Sequence, residues 1–292
     1  MAELKGIVAA ILTPFDENDN IDLEYMKKLI RFIEESGIQG FVPSGSNGEA
    51  SSMRLEERKR VIETAANSKG KMFMVAGTGA SGLPETLELS KFAESVGTDA
   101  IMVMPPYFFT NAPVQGLIEY YKRVFDAVSA PVFLYNIPQC TGIKISDEII
   151  RALEHYPHLV GVKDSSGKLD STLHYIENFP NLKIFVGDDH QVLPVLKAGG
   201  AGHITGMPNA FPELCASLWK AFNAGEEATA LQERLSQARD IIRDFPEFGV
   251  NKYVLTFRGF PMRYSRLPLL NLTEEEKVKF TNRMRENGLW NL

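Results

Sequence analysis

Eight short apolar runs, each followed by a longer amphipathic stretch, constrain what this chain can fold into more than any other feature. The runs cover residues 7–12, 40–43, 72–76, 100–104, 132–135, 159–163, 183–186 and 202–205. They have the length of strands. Their nearly unbroken apolar character suits parallel strands covered on both faces. The stretches between them have helical spacing. Leu29, Ile30 and Ile33 form one stripe within 23–36, and Leu55, Val61 and Ile62 another within 54–67. Further helices are predicted over 85–96, 114–128, 146–154, 170–178, 191–198 and 212–224, with Ser146 and Pro212 as natural first positions. Eight consecutive βα units predict an α/β fold, a closed (β/α)8 TIM barrel, in preference to an open doubly wound sheet. Such barrels take about 250 residues, so 292 residues leave room for a barrel over 1–225 and a C-terminal helical extension over 226–292 packed on it. Residues 228–245 and 273–287 are the clearest helices of that extension.

Composition narrows the function. Apolar residues make up 44% of the chain and charged residues 23%, enough of each for a globular core and a solvated surface. A net charge of −6 gives no basic field for a polyanion, so nucleic acid is not an expected partner. The run at 7–12 is too short for a membrane span, lacks the features of a signal peptide, and is followed by acidic residues. No membrane association is expected. Cys140 and Cys215 form no CxxC pair, which points to a reducing, cytoplasmic setting. The five histidines make no HxxxH or HExxH pair, so no metal is expected. Glycines 199, 200, 202 and 206 bracket the last strand, where barrels can hold phosphate, but no phosphate or dinucleotide motif accompanies them. No cofactor is expected.

A barrel places its active site at the C-terminal ends of the strands. The sixth run ends in Lys163 and continues as Asp164-Ser165-Ser166-Gly167. A strand-end lysine either reaches solvent or is held for a purpose, and an amine held inside can attack a carbonyl carbon. Tyr135 ends the fifth run, as a packing residue or as a proton relay across the mouth from Lys163. Gly45-Ser46-Asn47-Gly48-Glu49 follows the second run, where loop N–H groups can bind an anion. Asp188-Asp189-His190 follows the seventh run, and Pro105-Pro106-Tyr107-Phe108-Phe109 follows the fourth. The latter suits packing or a subunit contact.

GxxGE after the second strand, YNxP at the end of the fifth and GxKD at the sixth, in this order, resemble the dihydrodipicolinate synthase/N-acetylneuraminate lyase family. Ile11-Leu12-Thr13-Pro14-Phe15, Pro105-Pro106-Tyr107 and Arg266-Leu267-Pro268 are similar to it as well, so the resemblance covers essentially the whole chain. It implies a class I lyase or aldolase in which Lys163 forms a Schiff base with a 2-oxo acid, Tyr135 relays protons, and Ser46 and Asn47 grip the carboxylate. The expected substrate-binding set is Ser46, Asn47, Gly48, Ser165, Asp189 and Ile204. Pyruvate is the expected product or substrate and an aldehyde the second partner, with a homotetramer or homodimer as the assembly.

Departures from the family's branches decide among its reactions. The synthase branch has an arginine where this chain has Cys140, and a thiol cannot make charge-assisted bidentate bonds. That branch's intersubunit tyrosine corresponds to Phe108. The neuraminate lyase branch has Ser-Thr where this chain has Ser46-Asn47, and Asp-Glu where it has Asp189-His190. The preferred expectation is a lyase for a 2-keto-3-deoxy sugar acid or a 4-hydroxy-2-oxo acid. The alternatives are 4-hydroxy-tetrahydrodipicolinate synthase, N-acetylneuraminate lyase or a related 2-keto-3-deoxy acid dehydratase, and a non-catalytic 2-oxo acid-binding homologue.

Overall fold

Alternate residues of each strand enter two different apolar surroundings, and that alternation closes the sheet into a barrel. The computed structural model describes residues 3–290. Its strands are β1 (Gly6–Ala10), β2 (Gly40–Val42), β3 (Phe73–Gly77), β4 (Ala100–Val103), β5 (Val132–Asn136), β6 (Leu159–Asp164), β7 (Lys183–Val186) and β8 (Gly202–Thr205). Each pairs in parallel with the next, and β8 pairs with β1. Val8, Val42, Val75, Met102, Phe133 and Phe185 fill the interior. Their neighbours Ile7, Phe41, Met74, Ile101, Leu134 and Ile184 face the surrounding helices. Burial on both faces is why the runs are apolar throughout.

The helices between the strands are α1 (Leu23–Glu35), α2 (Leu55–Ala66), α3 (Leu83–Ser95), α4 (Val114–Phe125), a short α5 (Pro138–Thr141), α6 (Asp147–Leu153), α7 (Leu169–Asn178) and α8 (Val192–Lys197), with α9 (Pro212–Asn223) following β8. Local chemistry starts several of them. The Asp22 carboxylate accepts from the Tyr25 N–H at 2.9 Å at the head of α1. Met26, Leu29, Ile30 and Ile33 then turn one face of that helix to the barrel. Three further helices follow: α10 (Thr229–Arg243), α11 (Glu247–Thr256) and α12 (Glu274–Glu286), the last opened by a Thr273/Glu276 capping box. Among the described residues no helix is long and apolar enough to cross a membrane.

The expected barrel is borne out, with small corrections at its edges. β1 stops at Ala10 rather than at Leu12, because the Leu12 N–H turns to the Asn209 side chain at 3.0 Å. β5 and β6 each run one residue further, to Asn136 and Asp164. The sequence reading did not contain α5, and α11 falls within the helical extension from 226 without being set apart there.

A candidate active site at the mouth of the barrel

Lys163 points into the barrel because Val162 and Asp164, its neighbours along β6, point out. It is 2% exposed. Its register partner on β5 is Tyr135, and its Nζ lies 4.1 Å from the centroid of the tyrosine ring. The Tyr135 hydroxyl sits 3.3 Å from Ser46 Oγ, which joins β5 to the loop after β2. In that loop the Ser46 and Asn47 N–H groups have no acceptor among the described residues, whereas the Gly48 N–H donates to Gly45 O at 3.1 Å. Adjacent open donors of this kind suit a carboxylate.

These groups line a cavity of about 410 Å3. Ser46, Asn47, Ser165, Asp189 and Ile204 all reach it, together with Lys163 and Tyr135. Gly48 is not among the residues that line it. Its N–H is turned back within the loop, and a Cβ there would lie 3.0 Å from Ile11 O. Gly48 shapes the turn instead.

The end of β6 is pinned from outside the barrel. Asp164 Oδ1 accepts from Asn136 Nδ2 at 2.7 Å and from the Ser166 N–H at 3.0 Å. Its Oδ2 accepts from Ser166 Oγ at 3.0 Å and Thr172 Oγ1 at 2.9 Å. Four donors saturate the carboxylate and hold the 165–167 loop over the cavity. Ser165 rests on Gly187, where an added Cβ would lie 1.8 Å from Ser165 Oγ.

Asp189 lies behind the cavity wall more than in it. Thr205 Oγ1 donates to its Oδ1 at 2.7 Å, and Arg239 Nε approaches its Oδ2 at 3.4 Å. His203 Nε2 lies 2.9 Å from Oδ1 without the alignment of a hydrogen bond. Burial pushes the Asp189 carboxyl up, but His203, Arg239 and Thr205 outweigh it and hold the group below the usual carboxylate range. Asp188 stands closer to the opening. It accepts from the His190 N–H and from Nδ1 at 3.0 and 2.9 Å, and Arg243 lies 3.5 Å from its Oδ2.

The sequence reading missed four cavity residues from α10 and α11: Arg239, Arg243, Glu247 and Phe248. Arg239 and Arg243 are four positions apart and so share a helix face, a signal available in the sequence. Arg239 is fixed by Glu247 at 2.6 Å. Charge at the mouth balances: Lys163, Arg239 and Arg243 face Asp188, Asp189 and Glu247. Cys140 lines the same cavity, and burial pushes its thiol up while Lys163 pulls it down. Among the described residues no cluster of three or more His, Cys, Asp or Glu side chains is placed to hold a metal ion.

Known proteins are similar to this chain over most of its length. The model of the dihydrodipicolinate synthetase family matches residues 3–287. An uncharacterised DapA-like lyase of Chloroflexus aurantiacus is 38% identical over 94% of this chain and 94% of its own length. A 4-hydroxy-tetrahydrodipicolinate synthase of Methanopyrus kandleri is 34% identical over 98% and 97%. Among solved structures, YagE of Escherichia coli K12, a prophage protein of the dihydrodipicolinic acid synthase family in complex with pyruvate, superposes with a TM-score of 0.93 at 27% identity, covering 98% of this chain and 99% of that one.

Proposed function

This chain belongs to the dihydrodipicolinate synthetase family and is a lyase of it, and on that premise we propose that it cleaves or forms a carbon–carbon bond in a 2-oxo acid through a Schiff base on Lys163, with pyruvate as one product or substrate. The substrate is a 4-hydroxy-2-oxo acid or a 2-keto-3-deoxy sugar acid. The observation that carries this reading is the buried Lys163 stacked at 4.1 Å on Tyr135, below the open N–H pair of Ser46 and Asn47.

In the cleavage direction the 2-oxo acid carboxylate seats on the Ser46 and Asn47 N–H groups. The unprotonated Lys163 amine adds to C2, and the hydroxyl so formed leaves as water with the proton of Tyr135, giving an iminium and a tyrosinate. Tyr135 takes the proton from the C4 hydroxyl, the C3–C4 bond breaks, and its electron pair moves into the iminium to give an enamine. The aldehyde departs. Protonation at C3 and hydrolysis release pyruvate and the free amine. Elimination of water from the same imine is the corresponding dehydratase step. Ser165 and the 188–189 loop bind substrate oxygens, and Ile204 packs on the pyruvyl portion.

The synthase reaction is a second reading, favoured by the name of the Methanopyrus kandleri relative. It needs a partner for another carboxylate, and the Cys140 thiol on the cavity wall supplies no charge. The assembly is a homodimer or homotetramer. Phe108 and Phe109, 83% and 70% exposed and packed edge to face, offer an apolar contact between copies. Both cysteines are free, which suits a cytoplasmic enzyme.

Borohydride reduction in the presence of pyruvate tests the reading. A stable adduct is expected on the peptide containing Lys163 and is expected to vanish in Lys163→Ala. Absence of an adduct with pyruvate and with other 2-oxo acids overturns it.

A further inference from the structure

A second cavity of about 380 Å3 adjoins the one over Lys163. The two share Ser46, Ile137, Cys140 and Phe248, so they meet at these side chains. The second chamber is completed by Met104, Tyr107, Pro268 and Leu269. We infer that this chamber receives the C4 substituent of the substrate, and that the substituent is apolar, of the size of an aryl ring. The inference rests on the Schiff-base reading above and narrows it to 4-hydroxy-2-oxo acids with an apolar C4 group.

Three observations lead there. The first is position. The C4 oxygen meets the Tyr135 hydroxyl, and that hydroxyl lies 3.3 Å from Ser46 Oγ, part of the shared wall. A group on the same carbon therefore sits at the junction of the two chambers.

The second is the state of the polar atoms in the chamber. Glu49 is the only charged side chain lining it, and both its oxygens are taken, Oε1 by Lys252 at 2.5 Å and Oε2 by the Arg266 N–H at 2.9 Å. Thr141 Oγ1 donates to Ile137 O at 3.1 Å and accepts from the Ile143 N–H at 3.2 Å. Ser51, Ser52 and Tyr107 also bring hydroxyls to the chamber, but most of its lining is apolar. The apolar faces of Met104, Ile137, Phe248 and Leu269 remain. Pockets of a few hundred Å3 with such walls hold ring-sized apolar groups.

The third is Cys140. A small neutral side chain at the shared wall leaves the passage open and uncharged, where a guanidinium would fill and polarise it.

The condensation direction gives a direct test. Pyruvate bound to Lys163 as the enamine attacks the carbonyl carbon of benzaldehyde. The new C3–C4 bond forms as the carbonyl π bond breaks. The alkoxide takes a proton from Tyr135, and water hydrolyses the iminium to free 4-hydroxy-4-phenyl-2-oxobutanoate. kcat/KM with pyruvate is measured for benzaldehyde and for D-glyceraldehyde, in the wild type and in Met104→Asp and Leu269→Asp, with borohydride trapping of pyruvate on each protein.

The expected result is a preference for benzaldehyde of about tenfold or more, the scale on which apolar pockets discriminate. Each aspartate is expected to lower the benzaldehyde-to-glyceraldehyde ratio by a similar factor. A purely structural loss would lower both rates together and leave the ratio alone. An adduct on Lys163 with a preference for glyceraldehyde, or a ratio that neither aspartate moves, overturns this inference and leaves the Schiff-base reading standing. Failure to trap pyruvate in the wild type overturns both.

Discussion

Glu49 and Lys252 form a fully buried ion pair, 2.5 Å long and 203 positions apart in the chain. Glu49 lies in the loop after β2 in a left-handed conformation with φ 56°, two residues from Asn47. Lys252 lies on α11, where its ammonium also meets Tyr264 O and Ser265 Oγ and stands 5.0 Å from the Phe15 ring centroid. The pair fastens the proposed carboxylate seat to the last quarter of the chain. Burial pushes the Lys252 ammonium below the usual lysine range, and Glu49 opposes that shift. Removing one member leaves the other charge buried without a partner. Lys252→Met is expected to cost about 3–5 kcal/mol in denaturant unfolding. A double variant with Glu49→Gln is expected to recover part of the loss, and a cost equal to the sum of the two single changes would contradict the pairing.

Arg266 grips Glu57 on the neighbouring α2, with Nη1 and Nη2 at 2.8 and 2.6 Å from its two oxygens. That hydrogen bonding holds the Glu57 carboxyl down to about 2 against the opposing effect of burial, from an ordinary value of 4.5. The folded chain therefore gives up this proton more readily than the unfolded one. The contribution to stability is fully present above 4.5 and is lost as pH falls through about 2. Thermal unfolding of the wild type and Glu57→Gln is expected to differ most at neutral pH, with the difference closing toward pH 2. A constant gap over that range would rule out the linkage.

Tyr135→Phe keeps the ring beneath Lys163 and removes the proton carrier. A fall in kcat of about a hundredfold or more is expected for loss of a positioned acid–base group. Pyruvate is still expected to be trapped on Lys163 by borohydride. Unchanged turnover would remove Tyr135 from the mechanism.

Gly187 is a steric requirement of the mouth. Alanine there would place its Cβ 1.8 Å from Ser165 Oγ and 3.1 Å from Ser165 Cα, so the loop after β6 must shift. Gly187→Ala is expected to raise KM for the 4-hydroxy-2-oxo acid severalfold and to cost about 1–3 kcal/mol in stability as an overpacked contact. Chemical denaturation and steady-state kinetics on one preparation measure both.

The barrel was legible because each strand is an unbroken apolar run, and the alternation of βα units admits few closures. Lys163 and Tyr135 were legible because strand ends in this architecture converge on one mouth. Asp189 shows where such reading stops. Its place after β7 was visible, but not that Thr205 and His203, outward-facing residues of β8, would occupy its carboxylate. α11 was not delimited within the helical extension because its buried positions include Gly249, Asn251 and Lys252 beside Val250, Val254 and Leu255, so no apolar stripe marks it. Arg239 and Arg243 share a helix face, but only the fold brings α10 over the cavity. The contacts that fix the loop at 45–49 join residues more than two hundred positions apart, beyond the reach of any local pattern.

The tie between Glu49 and Lys252 also bears on the order in which a growing chain becomes competent. All eight strands have left the ribosome once residue 205 has emerged, so the barrel wall and Lys163 are complete by then. The loop proposed to seat the carboxylate still has one of its charges unanswered. It is answered only when residues 252 and 266 follow. The chain thus makes the proposed nucleophile before the partners that fix the proposed seat, which would withhold chemistry from a barrel that has not been finished.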